Sequence, residues 1–450
     1  MKDKTIQAFY ENEYISFASY DTYRKLANVV DGLKVSARKI LYTCIEDNKQ
    51  DKLKRVEALS NRAAEFTDYH HGSNSLVGVA VGMAQRFTGS NNIPLLKADG
   101  QFGTRIIPEA AAARYIFTCK ESYINKLFNV EDNSILDEQW AEDMKIEPKF
   151  YVPILPMILV NGSVGLAVGF AQNILPRNPS DLIKYINRKL AGQKSSNELL
   201  PYWNGFKGKV IQREPGVFDI YGHVKLENKT IIIDELPIGL EYKKYVNILD
   251  DLVETKKIVK YVDKCDTKND TMLFEVKVST QTYNELISSP MDIIKLLKLK
   301  VSETENYTCI DPTGKVKVYK SVFEIIDEYI NVRLEYYSKR KQFNVDTQTN
   351  ELKLLVSKCL FVKNVIDETI ELRNKSIDKI IKQIESINNI IKVDGSYDYL
   401  LRMPISSITK EKYADLSAKI KQKKAELDIY KQQTIEDLWK ADISALDFLK

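Results

Sequence analysis

Histidine is scarce in this chain, with three in 450 residues. Cysteine is little more common. The five, Cys44, Cys119, Cys265, Cys309 and Cys359, lie far apart, with no C-x-x-C pair and no histidine spaced to complete a zinc site. That excludes a structural zinc and fits reduced thiols in a cytosol. No long apolar run exists either. The longest, Tyr151 to Val160, contains two prolines and is about half the roughly 20 residues that span a bilayer, so no membrane span is expected. Met1-Lys2-Asp3-Lys4-Thr5 lacks the apolar core of a signal peptide, and the protein is expected to stay in the cytoplasm where it is made. Net charge is small as well. A formal +4 does not by itself mark a nucleic-acid binder.

What is present is ordinary globular material. A hydrophobic fraction of 44% argues against disorder along the whole chain, and 450 residues exceed one core, implying roughly two to four packed units. Basic residues gather at Lys34, Arg38, Lys39, Lys49, Lys52, Lys54 and Arg55, while Glu131 to Glu147 is acidic. Either run also suits a solvated face.

Pattern divides the chain into four parts. Residues 1–30 read as a helical arm rich in Tyr and Phe. From 31 to 149 short helices are expected at Val35 to Asn48, Leu53 to Phe66 and Ser75 to Phe87, separated by Gly/Asn/Pro loops. From 150 to 321 short strands such as Lys207 to Gln212, Val217 to Tyr221, Thr230 to Asp234 and Met272 to Val278 predict a separate α+β domain. Beyond 322 the chain becomes long-helical and Lys-rich. Ile377, Ile380, Ile384, Ile387 and Ile391 step by three and four, which predicts one seam of a coiled coil ending at Asp394-Gly395-Ser396. A second polar helix from about Lys410 to Tyr430 implies an antiparallel coiled-coil hairpin, with an ordinary helical hairpin within one domain as the plainer alternative.

Three stretches could carry chemistry. Tyr69-His70-His71-Gly72 sets two histidines at a helix start. They are structural or catalytic, and no third ligand favours a metal. In Ala110-Ala111-Ala112-Ala113-Arg114-Tyr115 four small residues leave room for a bulky polymer beside a phenol and a guanidinium. A phenol has a pKa near 10 and attacks phosphorus only with assistance. Arg114 is a fixed cation suited to phosphate oxygens that gain charge in the transition state; a surface helix bearing an Arg–Tyr stack is the plainer alternative. Finally, Asn161-Gly162-Ser163-Val164-Gly165-Leu166 follows an apolar run. Such a stretch forms a buried bend or pushes Leu166 outward as a wedge between base pairs.

Together these segments resemble the type IIA DNA topoisomerases over essentially the whole chain. Asp31-Gly32-Leu33-Lys34 with Arg38-Lys39, Tyr69-His70-His71-Gly72, Gln101-Phe102-Gly103-Thr104-Arg105, Arg114-Tyr115-Ile116-Phe117 and Asn161-Gly162 with Gly165 occur in the family's order. The resemblance implies a multidomain α+β protein: a winged-helix domain, an α/β tower that includes Ile233-Asp234-Glu235-Leu236-Pro237, and a long antiparallel coiled coil with a helical exit gate. It implies Tyr115 as the DNA-linked nucleophile, Arg114 and His71 as its catalytic companions, and Lys34, Arg38, Lys39, Tyr69, His70, Gln101 and Leu166 as DNA-binding residues. Mg²⁺ and ATP are expected on a partner subunit or another region, since neither an ATP-binding glycine motif nor an Asp-x-Asp metal pair is found. Partners are double-stranded DNA, a second copy through the winged helix and exit gate, and an ATPase subunit. Within the family, the medium subunits of T4-like bacteriophage enzymes are most similar; an excised fragment of a single-chain enzyme is the competing account. A non-enzymatic DNA-architectural protein and a purely structural coiled-coil dimer are the rival functions.

Overall fold

The computed structural model describes residues 5–47, 51–193, 198–227, 230–286 and 290–446. Met1 to Lys4, Asn48 and Lys49 of the basic cluster lie outside them. Two compact units form, one comprising Met1–Arg333 with Asp442–Lys450, the other Leu334–Ala441.

The first unit opens on a helical arm, Ile6–Phe9, Tyr10–Tyr14 and Ile15–Lys25, followed by three helices whose apolar residues recur at helical spacing: Val35–Glu46, Val56–Phe66 and Ser73–Ala84. Val56, Leu59, Ser60 and Ala63 of the second, and Leu76, Ala80 and Met83 of the third, turn inward on successive turns. Gly72, at φ +79°, starts the third, a left-handed conformation that costs glycine little.

Asp31 locks this helical layer to the chain that follows the expected boundary at 149/150. Its fully buried carboxylate accepts from Arg38 Nε (2.7 Å) and Nη2 (3.1 Å), from the Leu33 amide (2.9 Å) and from the Tyr151 amide (3.1 Å). Gly32 lies against the same segment at φ +67°, where a Cβ would stand 2.3 Å from the Ile158 nitrogen. The Ile154 amide donates to Leu127 O (2.8 Å), and the Asn161 side chain exchanges two hydrogen bonds with the Ile93 backbone (2.9 and 2.8 Å). Residues 150–178 therefore pack as part of the helical layer, and no break in packing falls at residue 150.

Further along, an antiparallel sheet runs in the order 260–263, 274–277, 230–235 and 223–227. One face, including Ile231, Ile233, Phe274 and Val276, packs with Tyr245, Leu249 and Leu252 of the Tyr242–Glu254 helix. A three-stranded sheet pairs Val217–Tyr221 with Lys209–Glu214 and Lys300–Thr304. The expected strands are found here, with Met272–Val278 narrowed to Phe274–Lys277.

In the second unit the hairpin arms are the helices Val322–Ile366, which enters from the first unit, and Lys410–Gln432. Cys359, Val362 and Leu416 form their buried seam, with Leu355, Ile366, Tyr413 and Ile420 against it. At one end Lys341 Nζ donates to the carbonyls of Lys431 (2.9 Å) and Gln433 (2.5 Å). The isoleucine series corrects the sequence reading. It does not line a coiled coil running to Asp394. Ile377, Ile380 and Ile384 sit on a separate helix, Ile377–Glu385, where Ile380 and Ile384 bury against Phe361, Ile370, Tyr397 and Leu400. Glu368, at φ +57°, lies just past the end of the first arm, so the isoleucine period belongs to the small helical knot between the arms. No helix among the described residues is long and apolar enough to cross a membrane.

Candidate active site

Tyr115 stands on a turn, not on a helix. Its amide donates to Ala112 O (2.9 Å), and the chain then enters the short strand Phe117–Thr118, which pairs with Lys54–Arg55. The Val56 and Glu57 amides donate to the carbonyls of Ile116 (3.1 Å) and Ala113 (3.3 Å), and Phe117 exchanges two backbone bonds with Asp99. Buried Ile116 anchors the turn, with Gly100 lying against it. The phenol is left 67% exposed. The Arg114 guanidinium lies 4.9 Å from the centre of the Tyr115 ring and has no ion-pair partner among the described residues. Ala111 and Ala112 are exposed beside it. The turn thus presents a phenol and an unpaired fixed cation on a rigid support, open on one side.

The histidines form a second group at the start of the Ser73–Ala84 helix. His71 Nε2 is 2.5 Å from Tyr20 Oη, and the half-buried Tyr69 meets the imidazole edge-on at 5.5 Å. Tyr69 Oη also bonds Ser75 Oγ (2.9 Å). Partial desolvation, Arg24 and His70 hold the His71 pKa below its ordinary value, so at neutral pH the ring is mainly uncharged with one N–H to donate. His70 turns away to Asp68 (3.1 Å). Tyr20 and Arg24, on the helix Ile15–Lys25, were not legible in the sequence because they lie some fifty residues upstream in a stretch without a motif. No hydrogen bond, ring contact or ion pair joins this group to Arg114 and Tyr115.

Leu166 is carried by a hairpin, Ser163–Ala167 with Phe170–Ile174. Alternation along the strand sends Gly165 inward against Lys25 and Leu26, and Val164 and Leu166 outward on one face. Leu166 is 74% exposed. Its hairpin is tied down where Val168 N donates to Asp21 (3.1 Å), and where Gln172 bonds Ala27, Ser163 and Thr308. A large apolar side chain on a braced hairpin is an unusual use of surface, and it suits insertion into an apolar partner.

The other sequence-derived residues divide sharply. Lys34 is partly buried, and its ammonium, with its pKa lowered by burial, donates to Val164 O (2.6 Å), bracing the hairpin that carries Leu166. Gln101 is exposed, but its side chain is bent back onto the Gly103 amide (2.9 Å). Arg38 and Lys39 are buried and do not take the DNA-facing place that the resemblance implies. Arg38 is buried on Asp31, while Lys39 Nζ is buried against Thr67 O (2.5 Å) and Glu147 (3.0 Å). Neither faces solvent where a DNA backbone could lie. Within the basic cluster Lys54 pairs with Asp47 (3.3 Å), leaving Arg55 exposed beside the Tyr115 turn.

No three His, Cys, Asp or Glu side chains cluster as a metal ion requires among the described residues. Around His71 stand phenols, the Arg24 guanidinium and two carboxylates, Asp68 bonded to His70 and Glu147 to Lys39, which is not the set of converging oxygens a magnesium ion takes.

The sequence profile of the A-type subunit of DNA gyrase/topoisomerase IV matches residues 24–444. The chain is 33% identical over 456 residues to the mitochondrial DNA topoisomerase 2 of Dictyostelium discoideum, covering 99% of this chain and 35% of that protein. It is 32% identical to DNA topoisomerase 2 of Invertebrate iridescent virus 6, covering 98% of this chain and 39% of the relative. Among solved structures it is similar to the DNA-binding, cleavage and re-ligation domain of Plasmodium falciparum topoisomerase II, with a TM-score of 0.84 and 31% identity across 100% of this chain and 65% of the other. The chain thus spans about a third of the length of the curated relatives it matches.

Proposed function

The chain belongs to the type IIA topoisomerase family defined by the A-type subunit of DNA gyrase and topoisomerase IV, and from that premise we propose that it is the DNA breakage-and-rejoining part of an ATP-dependent enzyme that passes one duplex through another. The observation that carries the proposal is the exposed Tyr115 phenol with the unpaired Arg114 guanidinium against its ring.

In the proposed step Tyr115 Oη attacks a backbone phosphorus. The phenol gives up its proton, the P–O bond to the 3′ oxygen breaks, and that oxygen leaves as a 3′-hydroxyl after taking up a proton. The product is a 5′-phosphotyrosyl ester, which replaces one phosphodiester by another. Little free energy is lost, and attack by the 3′-hydroxyl reverses the step. Arg114 donates to the phosphate oxygens as they gain charge. Neutral His71, its Nε2 accepting from the Tyr20 hydroxyl, offers its one N–H, on Nδ1, to the backbone, and His70 and Gln101 join the approach by leaving Asp68 and the Gly103 amide, their partners in the free chain.

Two copies are proposed, one for each strand, joined through the winged-helix region and the exit gate of the hairpin unit. Mg²⁺ and ATP belong on a partner subunit or another region; there the metal supplies charge stabilisation at the phosphate. In this reading the chain acts as the medium subunits of T4-like bacteriophage enzymes do, in a cytoplasm, with the ATPase on a second polypeptide. Reconstitution with such a partner is the test: denaturant-resistant protein–DNA complexes appear only when both are present. Their absence under all metal and ATP conditions contradicts the proposal. The architectural alternative leaves the Arg114–Tyr115 turn without a purpose.

Leu166 enters the base stack from the hairpin in this account. Burying such a side chain is worth about 2 kcal/mol, and Leu166→Ala is expected to weaken binding to bendable duplexes by roughly tenfold or more. Energy transfer between dyes on the two duplex ends should show a smaller bend. An unaltered bend removes the wedge role.

A further inference from the structure

The loop that carries Tyr115 is held at its other end by a different part of the first unit. Ile106, nine residues before the nucleophile, is buried as a member of the sheet subdomain's own core, with Ile231, Ile233, Leu236 and Phe274. Its neighbour Arg105 is gripped polar group by polar group. The Arg105 amide donates to Asp270 Oδ1 (2.7 Å), and Nη2 donates to the carbonyls of Leu236 (3.3 Å) and Pro237 (3.1 Å). Nε, buried and without a hydrogen-bond acceptor, stands 3.9 Å from Glu235 Oε1. Two carbonyls and a carboxylate at one turn make an acceptor set for a planar fork; an ammonium could satisfy only part of it.

Between this grip and the phenol the chain is closed on itself. Gly103, at φ +95°, sits so tightly that a Cβ would stand 2.3 Å from Pro108 O. Gln85 Nε2 spans Phe102 O (2.9 Å) and Pro108 O (3.0 Å). Gln101 O accepts from Ala111 N (2.9 Å), and Ala112 O accepts from Tyr115 N (2.9 Å). Such a loop transmits a shift of its anchor and does not absorb it.

We propose that Arg105 and Ile106 form a latch by which the sheet subdomain sets the position of the Tyr115 phenol, making Arg105 a positioning residue for strand cleavage. The proposal rests on the reading of Tyr115 as nucleophile. Misplacing a reacting group by about 1 Å can cost on the order of 100-fold in rate, so the latch matters to chemistry without touching DNA.

The test compares wild type, Arg105→Ala, Arg105→Lys and Asp270→Gly in the full chain. Asp270 lies at φ +49°, where glycine fits, so that variant loosens the grip without disturbing the core. Amide exchange at Ala111 and Tyr115 should accelerate about tenfold or more in Arg105→Ala and Asp270→Gly, with exchange in strands 230–235 and 274–277 unchanged. With the reconstituted partner, adduct yield on a duplex should fall roughly 10- to 100-fold, DNA affinity should stay within about twofold, and Arg105→Lys should recover part of the loss. Unaccelerated exchange at both amides, or wild-type adduct yield in the loosened variants, overturns the latch. Absence of adduct from the wild type overturns instead the reading of Tyr115, and the exchange comparison then decides the latch alone.

Discussion

Phenylalanine at position 115 should eliminate covalent protein–DNA adducts, a loss of about a thousandfold or more to assay background, with DNA affinity within about twofold of wild type. The substitution removes one oxygen and leaves the ring. That oxygen makes no hydrogen bond to another described residue; the phenol is exposed to water and Arg114 lies over the ring face. Stability should therefore stay within about 0.5 kcal/mol, as for other exposed sites. The chemistry has no substitute, since a nucleophile cannot be replaced by the groups that assist it. Adducts trapped with denaturant on an end-labelled duplex, in the presence of the metal-binding partner, give the measurement. Adducts from Tyr115→Phe at the wild-type level would show that another residue forms the bond.

The second large effect concerns stability. Arg38→Ala should destabilise the first unit by about 3–5 kcal/mol, because it leaves the Asp31 carboxylate buried with only the Leu33 and Tyr151 amides to compensate its charge. For a unit of this size that corresponds to a fall of roughly 4–7 °C in melting temperature. The motif resemblance makes the opposite prediction. A phosphate contact would weaken DNA binding uniformly and lower the slope of affinity against salt by about one, with melting unchanged. Thermal unfolding followed by circular dichroism, beside a salt titration of DNA binding, separates the two. A stable Arg38→Ala protein with a reduced salt slope would return Arg38 to the DNA interface.

Arg38 also shows what the sequence could and could not tell. The helices around it were legible because their apolar residues repeat at three and four, and the strands because theirs alternate. Motif order identified the family. A motif does not reveal the direction in which a side chain points: Asp31-Gly32-Leu33-Lys34 with Arg38-Lys39 reads as a basic DNA-facing patch, yet Arg38 and Lys39 are consumed by buried carboxylates contributed from Asp31 and, far along the chain, Glu147. Lys34 likewise braces Val164. The isoleucine series failed for a related reason. A period of three and four marks one buried helical face but not what covers it, and here the cover is the rest of a small knot together with Phe361 near the end of the first arm, and not the returning helix Lys410–Gln432.

The candidate site was readable at its nucleophile and incomplete around it. Arg114 and Tyr115 are adjacent in sequence, so their pairing needed no fold. Tyr20, Arg24 and Arg55 reach the site surfaces only through tertiary packing. The grip of Glu235-Leu236-Pro237 on Arg105 joins two motifs recognised separately, more than a hundred residues apart.

The central claim is that one phenolic oxygen becomes bonded to a DNA 5′ phosphate. Digesting the trapped complex with protease and nuclease and sequencing the modified peptide by mass spectrometry tests it directly. The expected result is a nucleotide phosphate on Tyr115, with a free 3′-hydroxyl on the opposing end of the cut strand. A nucleotide on any other residue, or a linkage through the 3′ phosphate, contradicts it.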